Sequence, residues 1–508
     1  FPMEKFILVI FGASGDLAWR KLMPALYTLH QQKLLPETFK VLGVGRMAMT
    51  DDTFRAKTID GLSQFVPKSK YSDEDARNFA TNLHFQSMDT SEVNDYAELK
   101  TRLETLSDSL ACEANYLFYY ATPPLMYTTI THHLKAHNLT CQDSGWKRVI
   151  IEKPYGHDLA SALELTKELS QAFAEDQIYR IDHYLGKETV QNILVTRFSN
   201  SIFEPLWNHN YIKYVEITSS EALGVGSRAG YYDTAGAMRD MVQNHLLQLL
   251  AIVAMEPPTT ADGNAIRDEM VKVFQSLRKI KEEEVPQYVV RGQYTESQIH
   301  GETIKAYRQE DGIAPNSKTE TYMAMACYID NWRWSGVPFY IRTGKRLPTQ
   351  VTEIVIHFKS NPHRIFAQKD GLTDAGNQLI IRIQPDEGLL LKIGMKVPGA
   401  GFQVDKVGLD FHYSSLTDHY IPQAYERLLC DCIQGDSTLF QRNDAVEATW
   451  KFVQPIIDAF ANPRKNPIYG YPAGTWGPER ANQLLAKDGF EWRYPCKNLA
   501  SDGVYCEL

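Results

Sequence analysis

The 508 residues are enough for two domains or for one large domain with an addition. The net charge of −9, from 53 basic and 62 acidic side chains, gives no reason to expect nucleic acid or an anionic membrane as a partner. Seven scattered cysteines without a CxxC pair favour a reducing, cytoplasmic location over a disulfide framework or a structural zinc site. No apolar run approaches the roughly 18 residues of a membrane span, and the first run, 6–11, is too short for a signal peptide, so we expect neither.

Apolar strand-like runs alternate with helical patterns over the first 182 residues. Six runs rich in β-branched and aromatic residues are predicted to be strands: 6–12, 39–46, 83–89, 115–122, 148–154 and 178–182. Their apolar residues are continuous, which favours strands of a parallel sheet that is buried on both faces. The pattern predicts a doubly wound, Rossmann-type α/β domain for dinucleotide binding over residues 1–182.

The pattern changes after about residue 200 to strands with few helices between the later ones. The predicted strands are 211–221, 289–294, 323–329, 337–344, 353–359, 377–384 and 388–397. The flanking helices are predicted at 235–254, 265–280, 421–434 and 442–461, and the stretch from Asn462 is expected to be irregular. We therefore predict an α+β domain over residues 183–508, with a large, mostly antiparallel sheet that serves substrate binding and dimerisation.

A glycine turn, Gly12-Ala13-Ser14-Gly15-Asp16-Leu17-Ala18, follows the first predicted strand and opens a helix. Small residues at this place allow the backbone to approach a pyrophosphate at the helix N-terminus. The pattern is GxxGxxA rather than GxGxxG, and glycines after strands are common, so an ordinary turn stays open as an alternative.

The second predicted strand ends in Gly45-Arg46. A site for NAD would place Asp or Glu there to bond the ribose 2′-hydroxyl, whereas an arginine suits the 2′-phosphate of NADP by charge and geometry. The alternative is an arginine that simply faces solvent.

The segment Arg180–Glu188 is unusually dense in reactive side chains. Asp182 ends the sixth predicted strand, where α/β enzymes place catalytic groups, and the sequence from Lys187 onward predicts a helix. His183, Tyr184 and Lys187 therefore lie at or just before a helix N-terminus, which attracts anions. They predict a phosphate site, and a charged surface turn is the alternative.

The tripeptide Glu152-Lys153-Pro154 closes the fifth predicted strand at its carboxyl end. We expect Lys153 to point toward a nicotinamide and a substrate, and the proline suggests a cis peptide bond.

Asp240, Asn244 and His245 lie in one predicted helix. Asp240 and Asn244 share a face by their i,i+4 spacing, but in an α-helix His245 is about 140° around from Asp240. A lone histidine among leucines is more often structural, unless a carboxylate orients its ring. We find no metal motif: His133 and His137 have i,i+4 spacing but no third ligand, and an amphipathic surface helix is the expected explanation.

Taken together, GASGDLA, EKPYG, RIDHYLGKE and the glycine-rich run from Glu221 to Asp240 with QNHLLQ after it resemble the glucose-6-phosphate dehydrogenase family. The resemblance covers nearly the whole chain, and RIDHYLGKE is its most specific part. It implies hydride transfer from C1 of glucose 6-phosphate to NADP, the entry step of the oxidative pentose phosphate pathway, with 6-phosphogluconolactone and NADPH as products. It also implies a homodimer or a dimer of dimers joined through the large sheet.

The resemblance assigns roles to residues of this sequence. It implies that His245 is the general base and that Asp182 orients it. It implies that the sugar phosphate or the sugar is contacted by Lys153, His183, Tyr184, Lys187, Glu221, Asp240 and Lys345. It implies that NADP is contacted by Gly12, Ser14, Gly15, Leu17, Lys21, Arg46 and Lys153, with Lys21 near the sugar as well.

Two positions depart from the family pattern. Gln350 stands where many members have a basic residue, and Trp19 stands where a lysine is common. The chemistry itself needs only a base for the proton and a nicotinamide for the hydride, so no metal is expected. Two rivals remain: a neutral-sugar dehydrogenase related to glucose–fructose oxidoreductase, for which a phosphate site has little use, and an inactive NADP-binding scaffold, which need not keep both Asp182 and His245.

Overall fold

The computed structural model describes residues 4–111, 113–363, 365–366, 376–416 and 420–495. Its strands are β1 Ile7–Phe11, β2 Lys40–Gly45, β3 Leu83–Ser87, β4 Tyr116–Tyr120, β5 Lys147–Ile151, β6 Ile178–Ile181, β7 Ile212–Ser220, β8 Val289–Thr295, β9 Ser297–Ile299, β10 Glu302–Ile304, β11 Tyr322–Tyr328, β12 Pro338–Gly344, β13 Val351–Phe358, β14 Gln378–Gln384, β15 Gly388–Lys396, β16 Val404–His412, β17 Phe440–Gln441 and β18 Ile468–Pro472.

The helices are α1 Met23–Gln31, α2 Asp51–Phe65, α3 Asp73–Ala80, α4 Asp95–Leu110, α5 Tyr127–Ala136, α6 Leu159–Ser170, α7 Glu188–Phe198, α8 Ala229–Ala237, α9 Leu247–Ala254, α10 Gly263–Gln275, α11 Val285–Tyr288, α12 Ala424–Gln434, α13 Asn443–Ala459 and α14 Gln483–Ala486. Two segments, Ala18–Leu22 and Met238–Leu246, are π-helical. Among the described residues no helix is long and apolar enough to cross a membrane.

The chain forms two compact units, of which the first comprises residues 1–187, 258–267 and 420–447. Its sheet has the order β17-β6-β5-β4-β1-β2-β3, and the six predicted strands are all present and all parallel. Every residue of β1 and β4 is buried, as the continuous apolar runs predicted. The short strand β17 adds an antiparallel edge to β6 that was not predicted.

The second unit comprises residues 188–257, 268–419 and 448–508. Its large sheet has the order β16-β15-β14-β13-β7-β12-β11-β8-β18. The seven predicted strands are present and mostly antiparallel, while β12 runs parallel to β7 and β18 parallel to β8. The fold class is therefore confirmed, but β16 was not predicted. The prediction that the stretch from Asn462 is irregular was wrong in part, because β18 and α14 form there.

The helix predicted at 235–254 is divided into α8, the π-helical segment and α9. Gly236 sets the division, with φ 68° and ψ 172°. A Cβ atom at this position would overlap Glu320 Oε1, which accepts the Met238 N–H at 3.1 Å. The buried carboxylate thus occupies the start of the π-helical segment, and only glycine fits beside it.

The cysteines support the expectation of a chain without disulfides as far as they are described. Cys141, Cys327, Cys430 and Cys432 have free thiols. The other three, Cys112, Cys496 and Cys506, lie outside the described residues.

Candidate active site

The predicted glycine turn is held against the ends of two neighbouring strands. Gly12 has φ +84°, and its N–H donates to Val44 O at 2.9 Å. A Cβ atom on Gly12 would lie 2.6 Å from Ala121 O, so no side chain fits without moving the backbone. Gly15 N–H closes the turn by donating to Gly12 O at 2.9 Å. The π-helical segment follows directly, so the turn leads into a helix N-terminus as an anion site requires.

Ser14 and Arg46 lie at the carboxyl edge of this sheet. Ser14 Oγ approaches the end of β2, since a Cβ atom on Gly45 would lie 3.4 Å from it. Arg46 follows β2 and is exposed. Met88 N–H donates to Gly45 O at 3.0 Å, which brings the residue after Met88, Asp89, to the same edge.

Asp89 was not predicted, because it follows β3 in the sequence and comes close to the end of β2 only in the folded sheet. It accepts hydrogen bonds from Ser91 Oγ at 2.6 Å and Ser91 N at 3.0 Å. These bonds, with the charge of Arg46 as a smaller cause, lower the pKa of Asp89. Arg46, which is predicted to bind the 2′-phosphate, therefore has an ionised carboxylate near it, that of Asp89.

Trp19, which stands where a lysine is common in the family, makes an apolar contact within the first unit. Its ring centroid lies 5.7 Å from that of Phe54, a buried residue of α2. The indole therefore packs the π-helical segment onto α2, and it leaves Arg20 and Lys21 as the exposed cations of that segment.

Glu152 is fixed by three tyrosines just before Lys153. Tyr119 and Tyr425 donate their hydroxyls to Glu152 Oε1 at 2.5 and 3.1 Å, and Tyr127 donates to the Glu152 carbonyl at 3.2 Å. Burial raises the pKa of Glu152 although these hydroxyls oppose the shift. The Lys153-Pro154 peptide bond is cis, as the sequence suggested.

Asp182 follows β6 as predicted and is buried, with 1% of its surface exposed. Its Oδ1 accepts the Tyr184 N–H at 2.9 Å, and its Oδ2 accepts Gln441 Nε2 at 3.2 Å. Both oxygens thus have a donor in the first unit, which fixes the plane of the carboxylate. Gln441 is 259 residues away in sequence, so no local pattern could have shown it.

The three predicted phosphate residues gather around one aromatic ring. The His183 ring centroid lies 5.0 Å from that of Tyr184, and the Lys187 ammonium lies 5.2 Å from the same ring. Helix α7 begins at Glu188, immediately after Lys187, as the sequence predicted within one residue. The intervening Gly186 packs closely on the 420–447 segment, because a Cβ atom there would lie 2.8 Å from Ala424 O.

A cavity of about 560 Å³ within the first unit brings several of these residues together. Of the residues predicted from the sequence it contains Lys21, His183 and Lys187. Its wall also includes residues that the sequence did not suggest: Arg20, Lys70, Tyr420, Tyr425 and Glu426.

In the second unit Glu221 and Lys345 form an ion pair. They follow β7 and β12, which are parallel neighbours, and therefore end at the same edge of the large sheet. Glu221 N–H donates to Gly344 O at 3.0 Å, which fixes this pairing, and the Lys345 ammonium lies 4.9 Å from the ring centroid of Tyr232.

Asp240 belongs to the same group of side chains through two tyrosines. Burial, the charge of Asp240 and a hydrogen bond with it raise the pKa of Tyr231 to about 12. Burial also raises the pKa of Tyr232 well above its usual value, with the charges of Asp240, Glu320 and Glu221 as further causes. The structure thus brings Glu221, Asp240 and Lys345 around one tyrosine pair.

The angle between His245 and Asp240 around the helix axis differs from the one expected from the sequence. They are five residues apart in a segment whose hydrogen bonds run from i to i+5, such as Leu247 N–H to Val242 O. Five residues make a little more than one turn of such a helix, so the two residues lie closer around the axis than the roughly 140° expected for an α-helix, which was the wrong helix type for this segment. Both residues are buried, with 1% of His245 and 5% of Asp240 exposed.

Comparison with known families covers almost the whole chain. Residues 9–192 match the family model described as "Glucose-6-phosphate dehydrogenase, NAD binding domain", and residues 194–493 match "Glucose-6-phosphate dehydrogenase, C-terminal domain". These matches support the phosphorylated-sugar family over the neutral-sugar alternative.

Curated relatives and solved structures give the same result. A glucose-6-phosphate 1-dehydrogenase of Treponema pallidum (strain Nichols) is 50% identical over 503 residues, which are 99% of this chain and 98% of the relative. One of Aggregatibacter actinomycetemcomitans is 52% identical over 492 residues, 97% of this chain and 98% of the relative. A solved glucose-6-phosphate dehydrogenase in complex with glucose 6-phosphate is 34% identical with a TM-score of 0.89, covering 97% of this chain and 100% of its own. The chain belongs to the glucose-6-phosphate dehydrogenase family.

Proposed function

We propose that His245 takes the proton of the C1 hydroxyl of glucose 6-phosphate and that Asp182 orients the imidazole for this step. The chain is an NADP-dependent oxidoreductase that acts on the CH–OH group of glucose 6-phosphate, so a proton and a hydride must both leave C1 and its oxygen. A histidine suits the proton because its ordinary pKa lies near neutrality. When bound, NADP supplies the acceptor for the hydride.

The supporting observation for Asp182 is that donors occupy both of its oxygens in the first unit. A carboxylate held in this way keeps its charge and its orientation, which is what stabilising an imidazolium requires. For His245 the support is its burial in the π-helical segment, on the face that also has Asp240. Such segments frequently occur at functional sites.

We propose His183, Tyr184 and Lys187 as ligands of the sugar phosphate. The observation that carries this proposal is that His183 and Lys187 line one cavity just before a helix, and that both lie within 5.2 Å of the centroid of the Tyr184 ring. A cation, an imidazole and a helix N-terminus all favour a bound anion. Phosphate binding far from C1 then supplies the energy that positions C1.

We propose Glu221 and Asp240 as acceptors for sugar hydroxyls, and Lys153 and Lys345 as further substrate contacts. The grouping of Glu221, Lys345 and Asp240 around Tyr231 and Tyr232 supports this assignment within the second unit.

The residues of the glycine turn fit a dinucleotide, because Gly12 has no room for a Cβ atom and the turn opens a helix. We propose that the cofactor is held by Gly12, Ser14, Gly15, Leu17, Lys21, Arg46 and Lys153. The exposed guanidinium of Arg46 after β2 supports the preference for NADP over NAD, since it suits a 2′-phosphate.

The test of the base is His245→Asn, with kcat and the dissociation constant of glucose 6-phosphate as readouts. Positioned general bases contribute roughly 10²–10⁴-fold, so kcat should fall by that factor while binding changes little. His357→Asn is the matched control, because His357 is another buried histidine of the second unit with a carboxylate partner, Glu216. It should lower stability without lowering kcat of the folded enzyme. A His245→Asn variant that keeps more than about a tenth of kcat would refute the assignment. Asp182→Asn should also lower kcat, because the ring would lose its orienting charge.

The test of the phosphate site is Lys187→Ala, with kcat/KM for glucose 6-phosphate and for free glucose. Loss of a charge-assisted bond costs about 1.5–3 kcal/mol, so the value for glucose 6-phosphate should fall roughly 10- to 100-fold and that for glucose hardly at all. An equal fall for both sugars would assign Lys187 to the fold or the cofactor. A wild type that prefers free glucose would favour the neutral-sugar dehydrogenase.

We also propose that the protein is a homodimer, or a dimer of dimers, formed through the edge of the large sheet. Strands β15 and β16 present an apolar strip on one face, since direct partners in the ladder lie on the same side: Leu389 with Phe411, Leu391 with Leu409, and Ile393 with Val407. Val407 and Leu409 are 39% and 56% exposed, at an edge strand where a second copy can pack.

Light scattering can test this assembly. Leu409→Asp should dissociate it, whereas Lys396→Glu, on the opposite face of β15, should leave the mass unchanged. A monomeric wild type, or equal masses for wild type and Leu409→Asp, would refute the proposed interface.

Two broader proposals rest on the sequence. We propose a cytoplasmic location, supported by the free thiols of the four described cysteines and testable by cell fractionation. We also propose that residues 1–182 form the functional dinucleotide domain and 183–508 the substrate and dimerisation domain. Binding of 2′,5′-ADP should then respond to variants of the first segment but not of the second.

A further inference from the structure

The wall of the cavity that contains His183 and Lys187 is strongly cationic. It includes Arg20, Lys21 and Lys70 besides Lys187. Glu426 is the one carboxylate among its described lining residues, and that group already accepts hydrogen bonds from Tyr420 Oη and from Gln423 N at 2.9 Å. The cations of the cavity wall therefore outnumber its carboxylates, and the wall has a net positive charge.

The cations differ in how they are paired. Arg20 Nε lies 2.6 Å from Asp16 Oδ1, and this exposed ion pair compensates part of its charge. Lys70, by contrast, forms no ion pair with any carboxylate in the described part of the chain. Its ammonium lies 4.9 Å from the ring centroid of Tyr420, a contact that favours a cation without cancelling its charge.

The position of Lys70 is fixed from both sides. Its N–H donates to Pro67 O at 2.8 Å, and its carbonyl accepts Gln31 Nε2 at 3.2 Å, so the backbone is tied to α1. The ring against its ammonium is tied as well, because the Tyr420 hydroxyl donates to Glu426. An exposed lysine with such supports loses less conformational entropy on binding an anion than a fully mobile one.

We propose that Lys70 is a further specificity-determining residue, whose charge strengthens the binding of the phosphate group of the substrate. The inference rests on the proposed phosphate role of His183 and Lys187. A phosphate monoester carries a charge of about −1.5 to −2 near pH 7, whereas Lys187 supplies one full positive charge and a neutral histidine supplies none. Lys70 provides a further positive charge in the same cavity, and it has no ion-pair partner in the described part of the chain.

The test compares Lys70→Met with Lys68→Met, a nearby exposed lysine that does not line the cavity. The readouts are KM for glucose 6-phosphate, the competitive inhibition constant of inorganic phosphate, and the dissociation constant of NADPH from its fluorescence. A solvated cation contributes less than a hydrogen-bonded one, so Lys70→Met should raise KM and the inhibition constant roughly three- to tenfold. Lys68→Met should match the wild type, and Lys70→Arg should restore both constants.

The charge mechanism predicts a salt dependence as well. Raising the ionic strength from about 0.01 M to about 0.15 M should weaken phosphate binding less in Lys70→Met than in the wild type, because one screened attraction is missing. A merely structural role for Lys70 would leave this dependence unchanged.

Lys187→Ala, measured in parallel, separates the two possible failures. If Lys187→Ala weakens phosphate binding and Lys70→Met behaves as Lys68→Met, the inference about Lys70 is wrong and the phosphate site stands. If neither variant weakens phosphate binding, the phosphate site itself is wrong. A change confined to the dissociation constant of NADPH would also overturn the inference, because Lys70 would then act on the cofactor.

Discussion

Gly236→Ala should damage both the stability and the activity of the enzyme, because Gly236 sets the start of the π-helical segment that has Asp240 and His245. Its backbone, at φ 68° and ψ 172°, lies in a region that is essentially restricted to glycine, which costs about 1–3 kcal/mol for another residue. The new methyl group would also displace Glu320 Oε1 from the Met238 N–H. Loss of a hydrogen bond to a charged group costs about 1.5–3 kcal/mol. We therefore expect the variant to lose about 2.5–6 kcal/mol in total.

The assay is urea-induced unfolding followed by circular dichroism, together with kcat of the folded enzyme. Gly230→Ala is the matched control, because Gly230 lies in the same helix α8 and nothing lies within 4 Å of a Cβ atom built on it. That substitution should be neutral or stabilise by up to about 1 kcal/mol. The reasoning is refuted if Gly236→Ala is as stable as Gly230→Ala, and the link to function is refuted if its kcat is unchanged.

Three further predictions concern the cofactor edge and the buried carboxylates. Arg46→Ala should raise KM for NADP roughly 10- to 100-fold and KM for NAD much less, and equal changes in steady-state assays would show that Arg46 does not read the 2′-phosphate. Tyr425→Phe removes a donor that opposes the raised pKa of Glu152, so the variant should lose more stability than the wild type as pH rises above about 4 in urea titrations, and equal pH dependences would contradict this. Burial raises the pKa of Glu320 above its unfolded value, so the folded state holds its proton longer and loses stability as pH rises from about 4. The stability of Glu320→Gln relative to the wild type should therefore grow with pH in urea titrations, and a constant difference would contradict this.

The sequence was sufficient for the layers of the fold because burial alone determines them. Strands β1 and β4 were recognisable since both are apolar and buried along their whole length, whereas β3 is buried only at alternate residues. Strand β16 was missed although Val407, Leu409 and Phe411 alternate with glycine and aspartate, which is the pattern of a half-buried strand. The two-residue strand β17 could not be predicted, because Phe440 pairs with Ile181 and nothing local indicates a partner so distant in sequence.

Site residues could be predicted where they lie close together in the sequence. They could not be predicted where residues far apart in the sequence come into contact. His183, Tyr184 and Lys187 form one cluster because they share a turn before a helix. The π-helical segment was not predictable, since its residues also fit an α-helix and its start depends on Glu320, 82 residues from the Met238 that donates to it. Lys70 and Tyr425 could not be predicted as site residues either, because Tyr420 and Glu152, the residues that they contact, lie far from them in the sequence.

The candidate binding residues of the two units differ in charge, and this difference corresponds to the phosphate group and the hydroxyl groups of the substrate. The candidate phosphate residues of the first unit are cations or hydrogen-bond donors, with Lys187 and Lys70 on one cavity wall. The candidate sugar residues of the second unit include two carboxylates, Glu221 and Asp240, gathered around a tyrosine pair. Carboxylates accept hydrogen bonds from hydroxyls and repel a phosphate, so each set disfavours the wrong end of the molecule. We therefore expect variants of Lys187 to change the discrimination between phosphorylated and free sugars, and variants of Glu221 or Asp240 to change the discrimination among sugars that differ in their hydroxyls.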